Sequence, residues 1–132
     1  MLKTKCIFEP ITHDDGIRIS IMSRHTYDDG VTPDPRIIPS VSFDKHWVEL
    51  APPPKLVGKW YRGETSWEGF RADYRDHLRG AEPARRVTEL EELAMIRDVT
   101  VVCVEPRGEN CHRKELADWC RDRRPNLAVV NV

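Results

Sequence analysis

The run Val99-Thr-Val-Val-Cys-Val104 constrains this chain more than any other stretch. It is apolar except for one threonine and shows no alternation. A strand of that kind must be covered on both faces, which is the habit of a parallel sheet inside an α/β domain. The polar segment from Glu105 to Asn110 then turns the chain, and Cys111 to Arg123 reads as a helix with Leu116, Ala117, Trp119 and Cys120 inward. Pro125 breaks it, and Leu127 to Val132 supplies a last strand. If these two strands pair in parallel, the crossover through the helix is right-handed.

The rest of the chain fits the same class. Lys3 to Phe8 reads as a strand ended by Glu9-Pro10, and Gly16 is the hinge of the polar turn after it. Ile17-Arg-Ile-Ser-Ile-Met22 alternates as a half-buried strand does. The two strands form a hairpin or stand as neighbours in a mixed sheet. Residues 23–40, with Pro33, Pro35 and Pro39, form a long irregular segment open to two readings, a functional loop or a disordered one. Ser42 to Leu50 predicts a short helix carrying Phe43, Trp47 and Leu50, and Lys55 to Trp60 a second with Pro54 in its first turn. Thr65-Ser-Trp-Glu68 fits a capping box for a third helix that presents Trp67, Phe70, Tyr74 and Leu78 and ends at Gly80. Val87, Leu90, Leu93, Ala94 and Ile96 mark a fourth, from near Ala84 to Arg97. The expected fold is α/β: a single domain over 1–132 with a central, mostly parallel sheet and helices packed on it.

Length and charge narrow the function classes. One core of ordinary size fits 132 residues, and two do not. With 21 basic and 22 acidic residues the net charge is -1, so no overall field draws nucleic acid or an anionic membrane, although a local basic patch stays compatible with nucleic-acid binding. Lys55, Lys59 and Arg62 form at most a modest basic face. No apolar run reaches the ~20 residues of a membrane span, and the N-terminus lacks a signal peptide's apolar core. A cytoplasmic protein without a membrane partner is expected.

The four cysteines, Cys6, Cys103, Cys111 and Cys120, show no CxxC pair, and in the cytoplasm they stay reduced. Cys6 and Cys103 lie inside strands, where cysteine behaves as a small apolar residue. Cys111 differs. With Asn110 as N-cap, Cys111, His112 and Arg113 fill the first helical turn, where free N–H groups and the helix dipole favour anions and depress a thiol's pKa. Cys111 is the candidate nucleophile, and His112 and Glu105 are the candidate acid/base groups. Arg113, Arg24 and Asn110 are the candidate anion-binding residues. Cys103, more readily a core residue, is the alternative as a resolving thiol for Cys111. Arg24, His25, Tyr27 and Asp28 fit a polar loop with a solvent-exposed histidine, and reach the same crevice if the strands run parallel. The aromatic residues Trp47, Trp60, Tyr61 and Trp67 fit a core better than a stacking platform for bases. A metal site from Cys111, His112 and His25 or His46 is disfavoured, since adjacent helical residues point in different directions. No metal and no cofactor are expected. A purely structural turn, with His112 and Arg113 on a solvated surface, also accounts for these residues.

Three segments carry a family likeness: Asp15 to Thr26; Trp47 to Trp60, continuing in Trp67 to Tyr74; and Val102-Cys-Val-Glu-Pro-Arg-Gly-Glu-Asn-Cys-His-Arg113. In these the chain resembles domain of unknown function family 488, whose motif ends a strand in Cys-x-Glu and follows it with Cys-His-Arg. The motif falls on Cys103, Glu105, Cys111, His112 and Arg113. Many members carry Asp-Arg after the second strand, where this chain has Ser23-Arg24. The resemblance implies a single α/β domain and brings no reaction with it. The expected function is thiol-dependent chemistry on a small phosphate- or sulfur-containing anion. The alternative is a non-catalytic module binding a phosphate, nucleotide or nucleic acid at the same turn.

Overall fold

The computed structural model describes residues 1–132. Its elements run β1 (Leu2–Cys6), β2 (Ile17–Ser20), β3 (Lys45–His46), α1 (Pro54–Tyr61), α2 (Trp67–Leu78), α3 (Ala81–Ile96), β4 (Val99–Cys103), α4 (His112–Arg123) and β5 (Val129–Val130). The strands form one sheet in the order β3-β2-β4-β1-β5, and every pairing is parallel. The result is a single α/β domain with four helices packed on a five-stranded sheet. No helix is long and apolar enough to cross a membrane.

The apolar run sits at the centre. All five residues of β4 are buried, with β1 on one side and β2 on the other. Thus β1 and β2 are neither a hairpin nor adjacent, because β4 lies between them. Each of the two outer strands gains a fully buried apolar partner this way. Likewise β5 pairs with β1 and not with β4. The chain leaves β1 toward β2 and returns from β4 to β5 on the other side. Such a reversal opens a crevice beyond the C-terminal ends of the central strands.

Register assigns the faces. Leu2, Val99, Val101, Cys103, Ile17 and Ile19 share one face, and Lys5, Arg18, Ser20 and Thr100 share the other. The first face packs into the core with Leu116, Ala117 and Cys120 of α4. On the second, buried Asp15 accepts from Arg18 Nη1 at 2.7 Å and from Lys5 Nζ at 2.9 Å, while Thr100 Oγ1 donates to the Asp15 carbonyl at 2.7 Å. Burial pushes the Asp15 carboxyl up, but hydrogen bonds from Lys5, Thr12 and Arg18 outweigh it and hold the pKa at about 2. Gly16, at φ +61°, shapes the turn into β2, and a Cβ there would lie 2.0 Å from the Asp98 carbonyl oxygen.

Several local expectations shift. Ser42 to Leu50 is not one helix: β3 takes Lys45–His46 and a 3-10 turn takes Val48–Leu50. Pairing of Lys45 with Ile19 at the sheet edge overrides the helical spacing. The cap of α2 is Ser66, whose Oγ accepts from Gly69 N at 3.0 Å, one residue beyond the expected Thr65. Gly80 starts α3 where a stop was expected for α2. The segment 23–40 is tied down by Tyr27 N to Thr32 O at 2.9 Å and by the buried residues Asp34 and Ile37.

Candidate functional site

The loops that leave β2 and β4 meet α1 and the start of α4 at the C-terminal edge of the sheet. Between them lies a cavity of about 230 Å³, walled by Arg24, Tyr27 and Asp28 after β2, by Trp60 and Tyr61 of α1, and by Cys103, Glu105 and His112. The parallel strands therefore bring Arg24, Tyr27 and Asp28 to the same crevice as Glu105 and His112. His25 turns away instead, with its Nε2 2.7 Å from Ser20 Oγ and its ring stacked on Phe43.

Cys111 is not in the first helical turn. It is the N-cap of α4, with extended backbone (φ -153°, ψ 146°) and no capping bond from its sulfur. Asn110, expected in that role, is exposed, stands one residue earlier and does not line the cavity. The extended backbone matters because it lets Cys111 point elsewhere than a helical residue would. Cys111 Sγ meets Cys103 Sγ in direct contact, lies 3.1 Å from Glu105 Oε2 and is 3.8 Å from His112 Nδ1. Glu105 Oε2 is also 3.2 Å from Cys103 Sγ. The donor atoms of Cys103, Glu105, Cys111 and His112 all fall within 4.8 Å of one another. Cys111 and His112 therefore do not diverge as adjacent helical residues would, because one of them is not helical. His25 and His46, the distant histidines considered as their partners, lie outside this group, and Cys103 and Glu105 take their place.

Each member is held by its own element. Cys103 ends β4 with no exposed surface, although its parity on the strand turns it toward α4 and its sulfur forms part of the cavity wall. His112 is buried, and its Nε2 is 2.7 Å from the Ile21 carbonyl oxygen. A carbonyl only accepts, so Nε2 carries the proton and a neutral ring leaves Nδ1 bare toward Cys111. Burial lowers the proton affinity of His112 and outweighs the opposing charge of Glu105, which favours that neutral ring. Tyr61 donates to Glu105 Oε1 at 3.4 Å. Burial and then the Glu105 charge raise the Tyr61 phenol to about 12, keeping it a donor.

Arg113 is placed differently from an open anion clamp. It is fully buried, and Nη1 donates to Cys103 Sγ at 3.0 Å and to the Glu105 carbonyl at 2.7 Å, while Nη2 donates to the Pro106 carbonyl at 3.1 Å. Its Nε has no partner. The guanidinium thus clasps the loop after β4 against the first cysteine of the group. Arg24 is exposed at the cavity and has spent one donor on the Gly30 carbonyl at 2.9 Å.

Cys120 supplies a contrast within the same helix. Burial, and then the charge of Glu91, push its thiol far above the ordinary range, so it stays a protonated core residue. Tyr61, expected in the core, joins the site, and so does Cys103, expected more readily as core than as a resolving thiol. The signal for Cys103 was available: it closes a fully buried strand at the edge where α/β sheets place their ligands.

Comparison with known families adds one finding. The model of a family described as DUF488-N3a, the active DUF488-N3 subclade, matches residues 2–124, a span that includes every residue of this site. Neither curated proteins nor solved structures give a match.

Proposed function

The chain belongs to the DUF488-N3a family, the active DUF488-N3 subclade, and on that premise we propose that it is a thiol-dependent enzyme acting on a small anionic, phosphate- or sulfur-containing substrate bound in the cavity beside Cys103 and Cys111. The observation that carries this reading is the convergence of two cysteine sulfurs, a carboxylate and a histidine ring within 4.8 Å of one another, with Cys103, Glu105 and His112 walling a small cavity and Cys111 buried behind them. Structural thiols in a core, such as Cys120, have no such company.

The roles follow from position. Cys111 at the start of α4 is the sulfur whose thiolate the helix terminus favours. Cys103 shares its proton acceptor and faces the cavity. Glu105 accepts the thiol proton through Oε2 as the sulfur forms its bond to the electrophilic atom of the substrate. The leaving group departs with the electron pair of the broken bond and takes that proton back. Arg24 orients the anion from the opposite wall, and Arg113 positions Cys103 from behind. A cavity of about 230 Å³ suits a small molecule.

The test compares two alkylating reagents on the ion-free protein, anionic iodoacetate and neutral iodoacetamide, with peptide mapping of the four cysteines. Labelling at Cys103 or Cys111 near neutral pH, ahead of Cys6 and Cys120, supports the reading. Arg24→Ala is expected to slow iodoacetate several-fold while leaving iodoacetamide unchanged. Silence at both sulfurs refutes thiol attack, and equal slowing of both reagents refutes the anion subsite.

A further inference from the structure

Four side chains of the same site make up a donor set that thiol attack alone does not require. We propose that Cys103 Sγ, Cys111 Sγ, His112 Nδ1 and Glu105 together hold one divalent cation of the zinc class, with Glu105, on the cavity side, as the exchangeable fourth position. The inference shares its residues with the reading above but rests on the donor set and not on Cys103 or Cys111 attacking a substrate.

Four observations lead to it. First, the donor atoms already lie within 4.8 Å of one another: Cys103 ends β4, Glu105 follows it by two residues in the loop, Cys111 caps α4 and His112 begins it. Two sulfurs, one imidazole nitrogen and one carboxylate oxygen form a tetrahedral set that selects zinc over magnesium or calcium. Second, His112 is oriented as a ligand is. Its Nε2–H is spent on the Ile21 carbonyl, and the bare Nδ1 faces Cys111. Metal-bound histidines are fixed by a bond of this kind at the far nitrogen. Third, Arg113 supplies an outer hydrogen bond to Cys103 Sγ at 3.0 Å, which suits a sulfur carrying negative charge.

The fourth observation is the spacing of the two cysteines. Their Cα atoms are 8.0 Å apart, beyond the about 4.4–6.8 Å that a relaxed bridge spans. Closing such a bridge would drag the end of β4 toward α4. An ion between the sulfurs removes the conflict, since two bonds of about 2.3 Å at a tetrahedral angle separate the sulfurs by roughly 3.7 Å. The ion also resolves a charge problem. Two thiols and a carboxylate point at one spot, and only a proton on each thiol or a cation at the centre keeps them together. Binding balances as one dication in and about two thiol protons out.

Cobalt(II) tests the site because its spectrum reports the ligands independently of any turnover. The whole chain, stripped with a chelator, is titrated with cobalt(II). A sulfur-to-cobalt charge-transfer band saturating at one ion per chain, with tetrahedral visible bands that zinc bleaches, supports the proposal. Cys103→Ser and Cys111→Ser are each expected to cut the charge-transfer intensity to about half and to weaken binding roughly tenfold or more. Glu105→Gln, at a half-exposed position that the fold tolerates, is expected to keep both sulfur bands and change the visible pattern. Cys6→Ser and Cys120→Ser leave the spectrum as it was. Absence of a charge-transfer band overturns the proposal, as does a band that persists when both cysteines are replaced. An unaltered visible spectrum in Glu105→Gln overturns the four-donor set. Cobalt bands without alkylation of the ion-free chain would fail the thiol reading alone, and alkylation without cobalt bands would fail this inference alone.

Discussion

Two buried arginines, one on each face of the sheet, show how differently the two halves of this molecule are built. Arg18 is 2% exposed and Arg113 is 0% exposed. Every donor that Arg18 uses reaches an oxygen: Asp15 Oδ2 at 2.7 Å, the Ser42 carbonyl at 2.8 Å and the Ile7 carbonyl at 3.2 Å. Its charge is met by a carboxylate held ionised down to a pH of about 2. Arg113 meets a sulfur and two loop carbonyls, and its Nε is left without a partner. No carboxylate bonds it, and Glu105 and Glu9 support its charge only from a distance. Of the atoms it touches, only the Cys103 sulfur can take on a matching charge. The first arginine completes a structure, and the second waits on the chemistry of its neighbour.

The sharpest way to break the comparison is to remove each guanidinium while keeping the volume. Arg18→Met strands the buried Asp15 carboxylate with Lys5 and Thr12, and it is expected to cost about 3–5 kcal/mol in urea unfolding at neutral pH. The carboxylate itself gives the next effect. Its pKa is about 2 in the folded chain against 3.8 unfolded, so the unfolded state binds the proton first. The stability it contributes is full above pH 3.8 and is lost as pH falls from there to about 2. The loss amounts to roughly 2 kcal/mol. Asp15→Asn should flatten this part of the acid-stability curve, and Arg113→Met should leave it unchanged. A wild-type curve that is level through that window would show that the Asp15–Arg18 pair is not what the face rests on.

Arg113→Met is expected to cost less, about 1–2 kcal/mol in the ion-free protein. The carbonyls it releases belong to Glu105 and Pro106, on a half-exposed loop that water reaches. The replacement leaves no stranded carboxylate. Its larger signature lies in the site: the Cys103 thiolate loses a donor, so its alkylation should shift to higher pH. If Arg113→Met destabilises as much as Arg18→Met, then Cys103 is already charged in the resting chain and the two arginines are equivalent.

The contrast also explains what could be read from residues alone. The Val99 to Val104 run announced a central parallel strand because continuous apolar sequence has few other fates. The four helices followed from 3.6-residue spacing, which also suggested one over Ser42 to Leu50 that does not form. Strand order did not follow, because nothing in the pattern of β1 or β2 says which strand it flanks. At the site, Glu105, Cys111 and His112 were legible as strand end and helix start. Cys103 and Arg113 were less legible. A buried strand makes a cysteine look like core, and an arginine expected to bind an anion at a helix start gives no sign in sequence that it is enclosed. Only the geometry reveals that each is the partner of the other. The metal-like grouping was hidden by a one-residue difference at the cap, since Cys111 in extended backbone can meet His112 where a helical Cys111 could not.

The smallest effect tests the polar face from its centre. Thr100 sits on β4 beside Arg18, and its hydroxyl donates to the Asp15 carbonyl at 2.7 Å. Thr100→Val keeps the shape and removes that donor, leaving a buried carbonyl short of one bond, at a cost of about 1 kcal/mol. Thr100 and Cys103 lie three residues apart on one strand and face opposite sides of the sheet. Alkylation of Cys103 and Cys111 and the cobalt spectrum should therefore be the same in this variant as in the wild type. A change in either would mean that the two faces communicate through β4, and the separation between a completed arginine and a waiting one would no longer hold.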